Sequence, residues 1–344
     1  MPTTGNNTKS QGAPKPQPAN EAVKRRTRQI IRNPDLFLFR IFILPFVAVL
    51  PSFLAYGVAV VFGDLRCRWS AFSRRTIRRN LQGVYGSSLS DEQCKRITRD
   101  FFRLRSCEML DEMRLMGKGR SLINLVEIHG LENLKSSLQK GKGAILCGAH
   151  YGSSLALFSM LNALGYPVTA IGRWSSGPEP NQSFVERLVY NVKLRPVTHH
   201  LKRPNILVKS GNIGTAFQAA AILRQDEMIY TNIDATVSSE DLGRAVTVDF
   251  LKGQAQFLPG PVTISQLTGA PVMVALMHRS SDWRHQVLEI SKPVSLEGGT
   301  AVAYRRCLAP IEASINSKPA HWKFWIDNRL MKLGLLRPQE TAEP

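Results

Sequence analysis

Residues 143–155, GAILCGAHYGSSL, place a histidine between a short apolar run and a second apolar segment. The first run is bounded by glycines, and it predicts a buried β-strand. Residues 153–164 show a helical pattern that stops at a glycine, and residues 168–172 are apolar again. This order predicts a βαβ unit in which His150 directly follows the first strand.

Helical and strand patterns continue to alternate toward the C-terminus. The predicted elements are a helix at 212–223, a strand at 228–233, a short helix at 261–267 and a strand at 271–277. This alternation predicts an α/β fold with a largely parallel sheet flanked by helices. Ligands bind at the carboxyl ends of the strands in such sheets. Because His150, Arg173 and Asp234 each follow a predicted strand, we expect them to converge on one edge of the sheet.

A long amphipathic helix is predicted ahead of this unit. Ser90 and Gln93 form a capping-box pattern, and apolar residues recur at near-helical spacing over about residues 91–116. Three acidic residues of this helix are interpreted as a solvent-exposed face: Glu108, Asp111 and Glu112.

An uncharged apolar segment of 22 residues runs from 41 to 62. This length matches a hydrocarbon core of about 30 Å. Two internal prolines leave a kinked span and a re-entrant or interfacial segment both open, and a buried helix of a soluble protein is the remaining alternative. Basic residues flank both sides, so the positive-inside rule gives no orientation.

The net charge of +19 is concentrated near the N-terminus, where residues 1–80 hold fourteen Lys and Arg against three acidic residues. Such a field attracts an anionic membrane surface or nucleic acid. The apolar segment favours the membrane. A nucleic-acid partner is disfavoured, because no stretch interleaves aromatic and basic residues as binding surfaces do.

The patterns divide the chain into four parts. They are a disordered, basic tail at 1–34, a hydrophobic membrane-anchoring segment at 35–64, an α/β domain with an N-terminal helical part at 65–335, and a second tail at 336–344. The five cysteines are scattered without CxxC spacing, which predicts neither a disulfide framework nor a zinc site.

Three strand-end residues are candidates for chemistry. A histidine has an unperturbed pKa near 6.5, so His150 could remove a proton from a hydroxyl, or it could be a structural imidazole. Arg173 could hold a phosphate or carboxylate, or form a surface salt bridge. Asp234 could orient a base or cap the following helix.

Several blocks along the chain carry a resemblance to a known family. They are RRTIRRNL, SLSDEQCKRITRDFF, GAILCGAHYGSSLALFSMLNALGYPVTAIGR, NID, FLKGQAQFLPGPVTISQLTGAPVMVALMHR and INSKPAHWKFW. In order and spacing the chain resembles the bacterial lipid A biosynthesis acyltransferases, within the wider group of lysophospholipid-type acyltransferases. The resemblance extends over residues 35–330.

The resemblance implies an enzyme at the inner membrane, with its catalytic domain on the cytoplasmic face. It would move an acyl chain from a thioester, on acyl carrier protein or CoA, to a hydroxyl of a lipid or glycolipid acceptor. His150 would be the general base, Arg173 would hold an anionic headgroup, and the block around Gly253 would shape the substrate site. No metal or organic cofactor is expected, since the donor arrives activated.

One position departs from the family pattern. The family histidine has an acidic partner five residues on, and Leu155 occupies that position here. Asp234 or Glu108 could supply the acid from elsewhere, or Ser153 or Ser154 could orient the ring weakly. The chain could instead be a catalytically impaired relative that binds lipid or acyl chains without turnover. A neutral amine acceptor, which needs little help from a base, is the last alternative.

Overall fold

The computed structural model describes residues 34–115, 120–172, 184–193, 195–198, 201–208 and 214–336. The predicted tails therefore lie almost entirely outside the described residues, and Arg173 lies outside them as well.

Helices make up the first part of the described chain. They are α1 (Pro34–Leu38), a π-helical turn (Phe39–Ile43), α2 (Leu44–Val49), α3 (Ser52–Trp69) and α4 (Ala71–Tyr85). Leu50 has extended backbone before Pro51, as a residue preceding proline prefers, and this separates α2 from α3. None of the helices in the described ranges combines the length and the apolar character that crossing a membrane requires.

The predicted long helix is confirmed as α5 (Asp91–Arg114). The Ser90 hydroxyl accepts a hydrogen bond from the Gln93 backbone N–H, and the Gln93 side chain accepts one from the Ser90 backbone N–H. The interpretation of its acids as a solvent-exposed face is wrong, because all three are buried: Glu108, Asp111 and Glu112. Each has a cationic or hydroxyl partner on another segment, which compensates for its removal from water.

The remaining elements form the α/β domain. Its first half contains α6 (Arg120–Ile123), β1 (Val126–His129), α7 (Leu131–Leu138), β2 (Ala144–Gly148), α8 (Ser154–Ala163), β3 (Val168–Gly172), α9 (Phe184–Lys193), α10 (Arg195–Thr198) and β4 (Ile206–Leu207). Its second half contains α11 (Gly214–Leu223), β5 (Met228–Asn232), β6 (Val246–Phe250), β7 (Gly253–Phe257), α12 (Gly260–Thr268), β8 (Val272–Arg279), β9 (Gln286–Ile290), α13 (Thr300–Ser317) and α14 (Arg329–Lys332).

The described strands form a seven-stranded sheet in the order β1-β9-β8-β2-β5-β3-β4, and β6 and β7 form a separate antiparallel hairpin. The central pairs β8–β2, β2–β5 and β5–β3 are parallel, which confirms a largely parallel sheet flanked by helices. β8 and β9 are antiparallel. Their connection is too short for the crossover that a parallel pair needs.

Strand β2 lies at the centre of the core, and every one of its residues is buried. Ile145 and Cys147 pack into one hydrophobic cluster, whereas Ala144 and Leu146 pack into the cluster on the other side of the sheet. This alternation follows from the two-residue period of a strand whose faces are both covered by helices. His150, two residues after the end of β2, is thus positioned by a strand that is packed on both faces.

Candidate active site

His150 and Asp234 are brought together by the register of two neighbouring parallel strands. Gly148, the last residue of β2, pairs with Asn232, the last residue of β5. His150 lies two residues after Gly148, and Asp234 lies two residues after Asn232. The predicted convergence on one sheet edge is confirmed for this pair, while Arg173 lies outside the described residues.

The Asp234 carboxylate is fully buried and accepts three hydrogen bonds. Its Oδ1 lies 2.7 Å from His150 Nδ1, and its Oδ2 accepts from the His150 backbone N–H at 2.9 Å and the Trp322 indole N–H at 2.8 Å. Burial acts to raise the pKa of Asp234, but the His150 charge and these hydrogen bonds outweigh it and hold the pKa below its usual value. The ionised Asp234 carboxylate therefore stabilises the folded protein. This contribution is fully present above about pH 4, the ordinary pKa of an aspartate, and is lost as the pH falls through the lowered pKa of Asp234.

The contact with Asp234 also sets the tautomer of the neutral imidazole. An ionised carboxylate only accepts hydrogen bonds, so the proton of a neutral His150 ring resides on Nδ1. Nε2 is then free of a proton and can accept one from a hydroxyl. The His150 side chain is 32% exposed, whereas that of Asp234 is 0% exposed. The geometry places a partly exposed imidazole against a buried carboxylate that orients it.

A C-terminal segment, residues 319–326, pairs with the chain around His150. The Lys323 backbone N–H donates to the His150 carbonyl at 2.9 Å, and the Gly152 backbone N–H donates to the His321 carbonyl at 3.0 Å. These bonds fix the backbone on both sides of the imidazole.

Two aromatic residues of this segment belong to the site, although sequence reasoning assigned them no role. The Trp322 indole donates to Asp234, and the Phe324 ring centroid lies 4.8 Å from that of the His150 ring. The aromatic cluster in HWKFW was a signal that could have suggested them. It did not indicate which distant part of the chain those rings would contact.

Gly152 satisfies a backbone requirement next to the imidazole. Its φ is +51°, a conformation that favours glycine. A Cβ at this position would lie 1.9 Å from the Met277 carbonyl oxygen, so the backbone of β8 blocks any side chain. The turn after His150 can approach the sheet this closely only with glycine.

A Gly152→Ala substitution is expected to lower the free energy of unfolding by about 2 kcal/mol or more, since strain and a backbone clash add. Gly165→Ala is the matched control, because Gly165 also has positive φ but has no neighbour within 4 Å of the added carbon. The control should cost about 1 kcal/mol. Denaturant unfolding of both proteins checks the difference, and equal losses would contradict it.

Asp111 connects the turn after His150 to the N-terminal helices. Its carboxylate accepts hydrogen bonds from the Ser153 and Tyr56 hydroxyls, each at 2.7 Å, and forms an ion pair with Arg279. Ser153 therefore connects the start of α8 to α5 by a hydrogen bond. Its hydroxyl donates to Asp111 and does not orient the imidazole.

The two other predicted site residues lie in different surroundings. Glu108 accepts a hydrogen bond from Arg105 at 2.5 Å and forms an ion pair with Lys323 at 3.2 Å, while burial raises its pKa. Gly253 begins β7 at the turn of the hairpin, where an added Cβ would meet the side chain of Leu335 at 3.4 Å. The acid in hydrogen-bond contact with the His150 ring is Asp234.

The family model described as bacterial lipid A biosynthesis acyltransferase matches residues 27–332. The chain belongs to this family. The resemblance seen in the sequence blocks is thereby confirmed, and an acyltransferase of the lipid A type is the activity that the family supports. No curated protein matches the chain.

Leu155 has a packing role in this lipid A acyltransferase-family chain. It lies in the first turn of α8, half-buried, and contacts the hydrophobic cluster on that side of the sheet. The carboxylate beside the imidazole comes from the end of β5 instead of from α8.

Proposed function

We propose that this chain is a membrane-associated acyltransferase that moves a fatty acyl chain from an acyl thioester to a hydroxyl of a lipid or glycolipid acceptor. His150 is the general base, and Asp234 is its acid partner. The observation that carries the proposal is the 2.7 Å contact between His150 Nδ1 and Asp234 Oδ1, formed by a partly exposed imidazole and a buried carboxylate. Membership of the family supplies the class of reaction.

The reaction can be written through the His150 ring. Nε2 takes the proton of the acceptor hydroxyl as its oxygen attacks the thioester carbonyl carbon, which forms the new C–O bond. Asp234 stabilises the imidazolium that results. Collapse of the tetrahedral intermediate breaks the C–S bond, and the imidazolium returns the proton to the departing thiolate. The products are the acylated lipid and the free thiol.

The donor is a thioester on acyl carrier protein or CoA, and the acceptor is a membrane lipid at the cytoplasmic face of the inner membrane. The basic N-terminal region and the apolar residues exposed on the N-terminal helices support placement at an anionic membrane surface. Arg173 as the headgroup ligand and Gly253 as part of the substrate site remain predictions.

The test is an acyl-transfer assay with the purified chain in detergent. Long-chain acyl thioester is supplied with lysophospholipid, glycolipid and saccharolipid acceptors, and the acylated product is quantified. We expect product with at least one acceptor and its loss in His150→Ala. Lipid binding without any product would support the impaired relative, and a His150→Ala variant as active as the unsubstituted chain would overturn the proposed base.

A Leu155→Glu substitution tests whether an acid five residues after His150, where the family pattern has one, would increase the rate of acyl transfer. Because Nδ1 already contacts Asp234, we expect no gain in kcat. The new carboxylate would replace apolar packing, so the free energy of unfolding should fall by about 1–3 kcal/mol. Steady-state kinetics and denaturant unfolding measure the two effects. A clear rise in kcat would show that Asp234 is an inadequate partner.

A further inference from the structure

His321 lies between the end of strand β8 and the turn after His150. It belongs to the C-terminal segment 319–326 and is 7% exposed. Its ring Nε2 accepts a hydrogen bond from the backbone N–H of Arg279, the last residue of β8, at 3.1 Å. The ring also stacks on Tyr151, with 5.3 Å between the ring centroids. The imidazole therefore connects the segment to a strand end and to the residue that follows His150.

The backbone of His321 makes hydrogen bonds on both sides of the residue. Its carbonyl oxygen accepts from the Gly152 N–H at 3.0 Å and from the Arg105 side chain at 3.1 Å. Its N–H donates to the Lys318 carbonyl at 3.1 Å. Ring and backbone together connect this one residue to β8, to α5 and to the turn after His150.

The next residue, Trp322, contacts the Asp234 carboxylate. Its indole N–H donates to Oδ2 at 2.8 Å, and its backbone forms a bridge with Tyr151. A carboxylate rotates easily about its terminal bond, because the minima of such a torsion are broad. The bonds that Oδ2 accepts from Trp322 and from the His150 backbone N–H therefore fix the plane of the carboxylate and direct Oδ1 at the ring. The position of Trp322 thus affects the orientation of the His150 imidazole.

The His321 ring makes these contacts in its neutral form. Because Nε2 accepts a hydrogen bond, the ring proton resides on Nδ1. Burial holds the pKa of His321 well below its usual value, and the nearby groups Arg105, His278, Lys318 and Arg279 act in the same direction. The ring is therefore a hydrogen-bond acceptor for β8 at neutral pH.

The buried Nδ1 of His321 has no hydrogen-bond partner within the described ranges. A buried donor without a partner costs stability. A phenylalanine at this position would leave the Arg279 N–H without its acceptor, and the histidine leaves its own Nδ1–H unpaired instead. Since one donor is unpaired in either case, the gain that distinguishes histidine is the directed bond between its ring and the end of β8.

We propose that His321 is a positioning residue for the acyl transfer. Its ring, held by the end of β8 and by Tyr151, sets the place of Trp322. Trp322 in turn keeps the Asp234 carboxylate directed at the His150 ring. This inference rests on the proposed function, to which it adds a residue that acts through the protein and touches neither substrate.

The first test measures the tautomer of His150 and requires no turnover. The full-length protein carries isotope-labelled histidine, its ring nitrogens are observed by NMR at about pH 8, where a histidine is ordinarily neutral, and a His150→Gln protein assigns the signals. We expect the proton on Nδ1 in the unsubstituted chain and a mixture of both tautomers in His321→Phe. His321→Gln keeps an acceptor for the Arg279 N–H and should resemble the unsubstituted chain. An unchanged tautomer in His321→Phe would overturn the proposal. His321→Leu, which also lacks an acceptor, takes its place if the phenylalanine variant does not fold.

The second test separates binding from chemistry. His321→Phe should lower kcat by about a hundredfold while KM for donor and acceptor changes by less than about threefold, because a misplaced base slows the proton transfer and leaves the substrate contacts in place. His321→Gln should recover most of the rate. In combination with Trp322→Phe, which removes the indole donor, His321→Phe should add little further loss, since the two residues act through one contact. Fully additive losses would mean that His321 does not act through Trp322.

Asn80→Leu is the matched control for a general loosening of the C-terminal segment. The buried Asn80 side chain donates to the carbonyls of Trp325 and Asp327, at the other end of the segment from His321. We expect this variant to unfold more easily while kcat stays close to that of the unsubstituted chain. A loss of kcat as large as in His321→Phe would overturn the specific role of the ring.

The two tests also separate this inference from the proposed function. The tautomer of His150 is observed whether or not acyl transfer takes place. A chain whose His150 tautomer depends on His321 but which yields no acylated product would contradict the proposed function, and the positioning of His150 through His321 would stand.

Discussion

An Asp234→Asn substitution is expected to lower kcat for acyl transfer by about a thousandfold or more, with the fold retained. The amide removes the negative charge that stabilises the imidazolium. It can also present its NH₂ group to the ring, which would favour the tautomer protonated on Nε2. Steady-state kinetics at saturating acceptor measure the loss, and circular dichroism checks the fold.

Glu108→Gln is the matched control for this prediction. It makes the same chemical change at another buried acid, which pairs with Arg105 and Lys323. We expect the control to alter stability while kcat stays close to that of the unsubstituted chain. A loss of kcat in the control as large as in Asp234→Asn would assign the acid role to Glu108.

The second large effect concerns stability. Asp111→Asn is expected to lower the free energy of unfolding by about 3–5 kcal/mol, because it leaves the buried Arg279 cation without its counter-charge. Both partners are almost completely inaccessible to water, and Asp111 also raises the pKa of the Arg279 guanidinium. Denaturant unfolding in detergent measures the change.

Glu92→Gln is the control for Asp111→Asn. Glu92 lies on the same helix but is exposed, so its replacement should change the free energy of unfolding by no more than about 0.5 kcal/mol. If Asp111→Asn proved as stable as this control, the network joining Tyr56, Arg279 and Ser153 would contribute little to the fold.

The elements that sequence predicted best are those with local signals. The capping box at Ser90 marked the start of α5, and apolar runs marked β2, β3, β5 and β8. Strand β9 was not predicted. Its antiparallel position depends on pairing with β8, a partner that a short window of sequence does not contain. The burial of Asp111 was missed for a related reason, since its partners lie on α3, immediately before α8 and on β8.

The sequence predicted the candidate site only in part. His150 and Asp234 could be proposed because each follows an apolar run, but sequence alone left Glu108 as an equal candidate. The choice depends on β2 and β5 being neighbours in register, which is a property of the assembled sheet. Trp322 was missed because its partner Asp234 is 88 residues away in sequence.

The pairing of Gly148 with Asn232 has a consequence for how relatives of this chain are recognised. A search pattern that demands an acid five residues after the histidine discards this chain at Leu155. A pattern that places a histidine and an aspartate at equal distances past two adjacent strands retains it. Because Asp234 already places a carboxylate beside the imidazole from across the sheet, Leu155 can pack against the hydrophobic cluster without leaving the ring lacking an acidic neighbour.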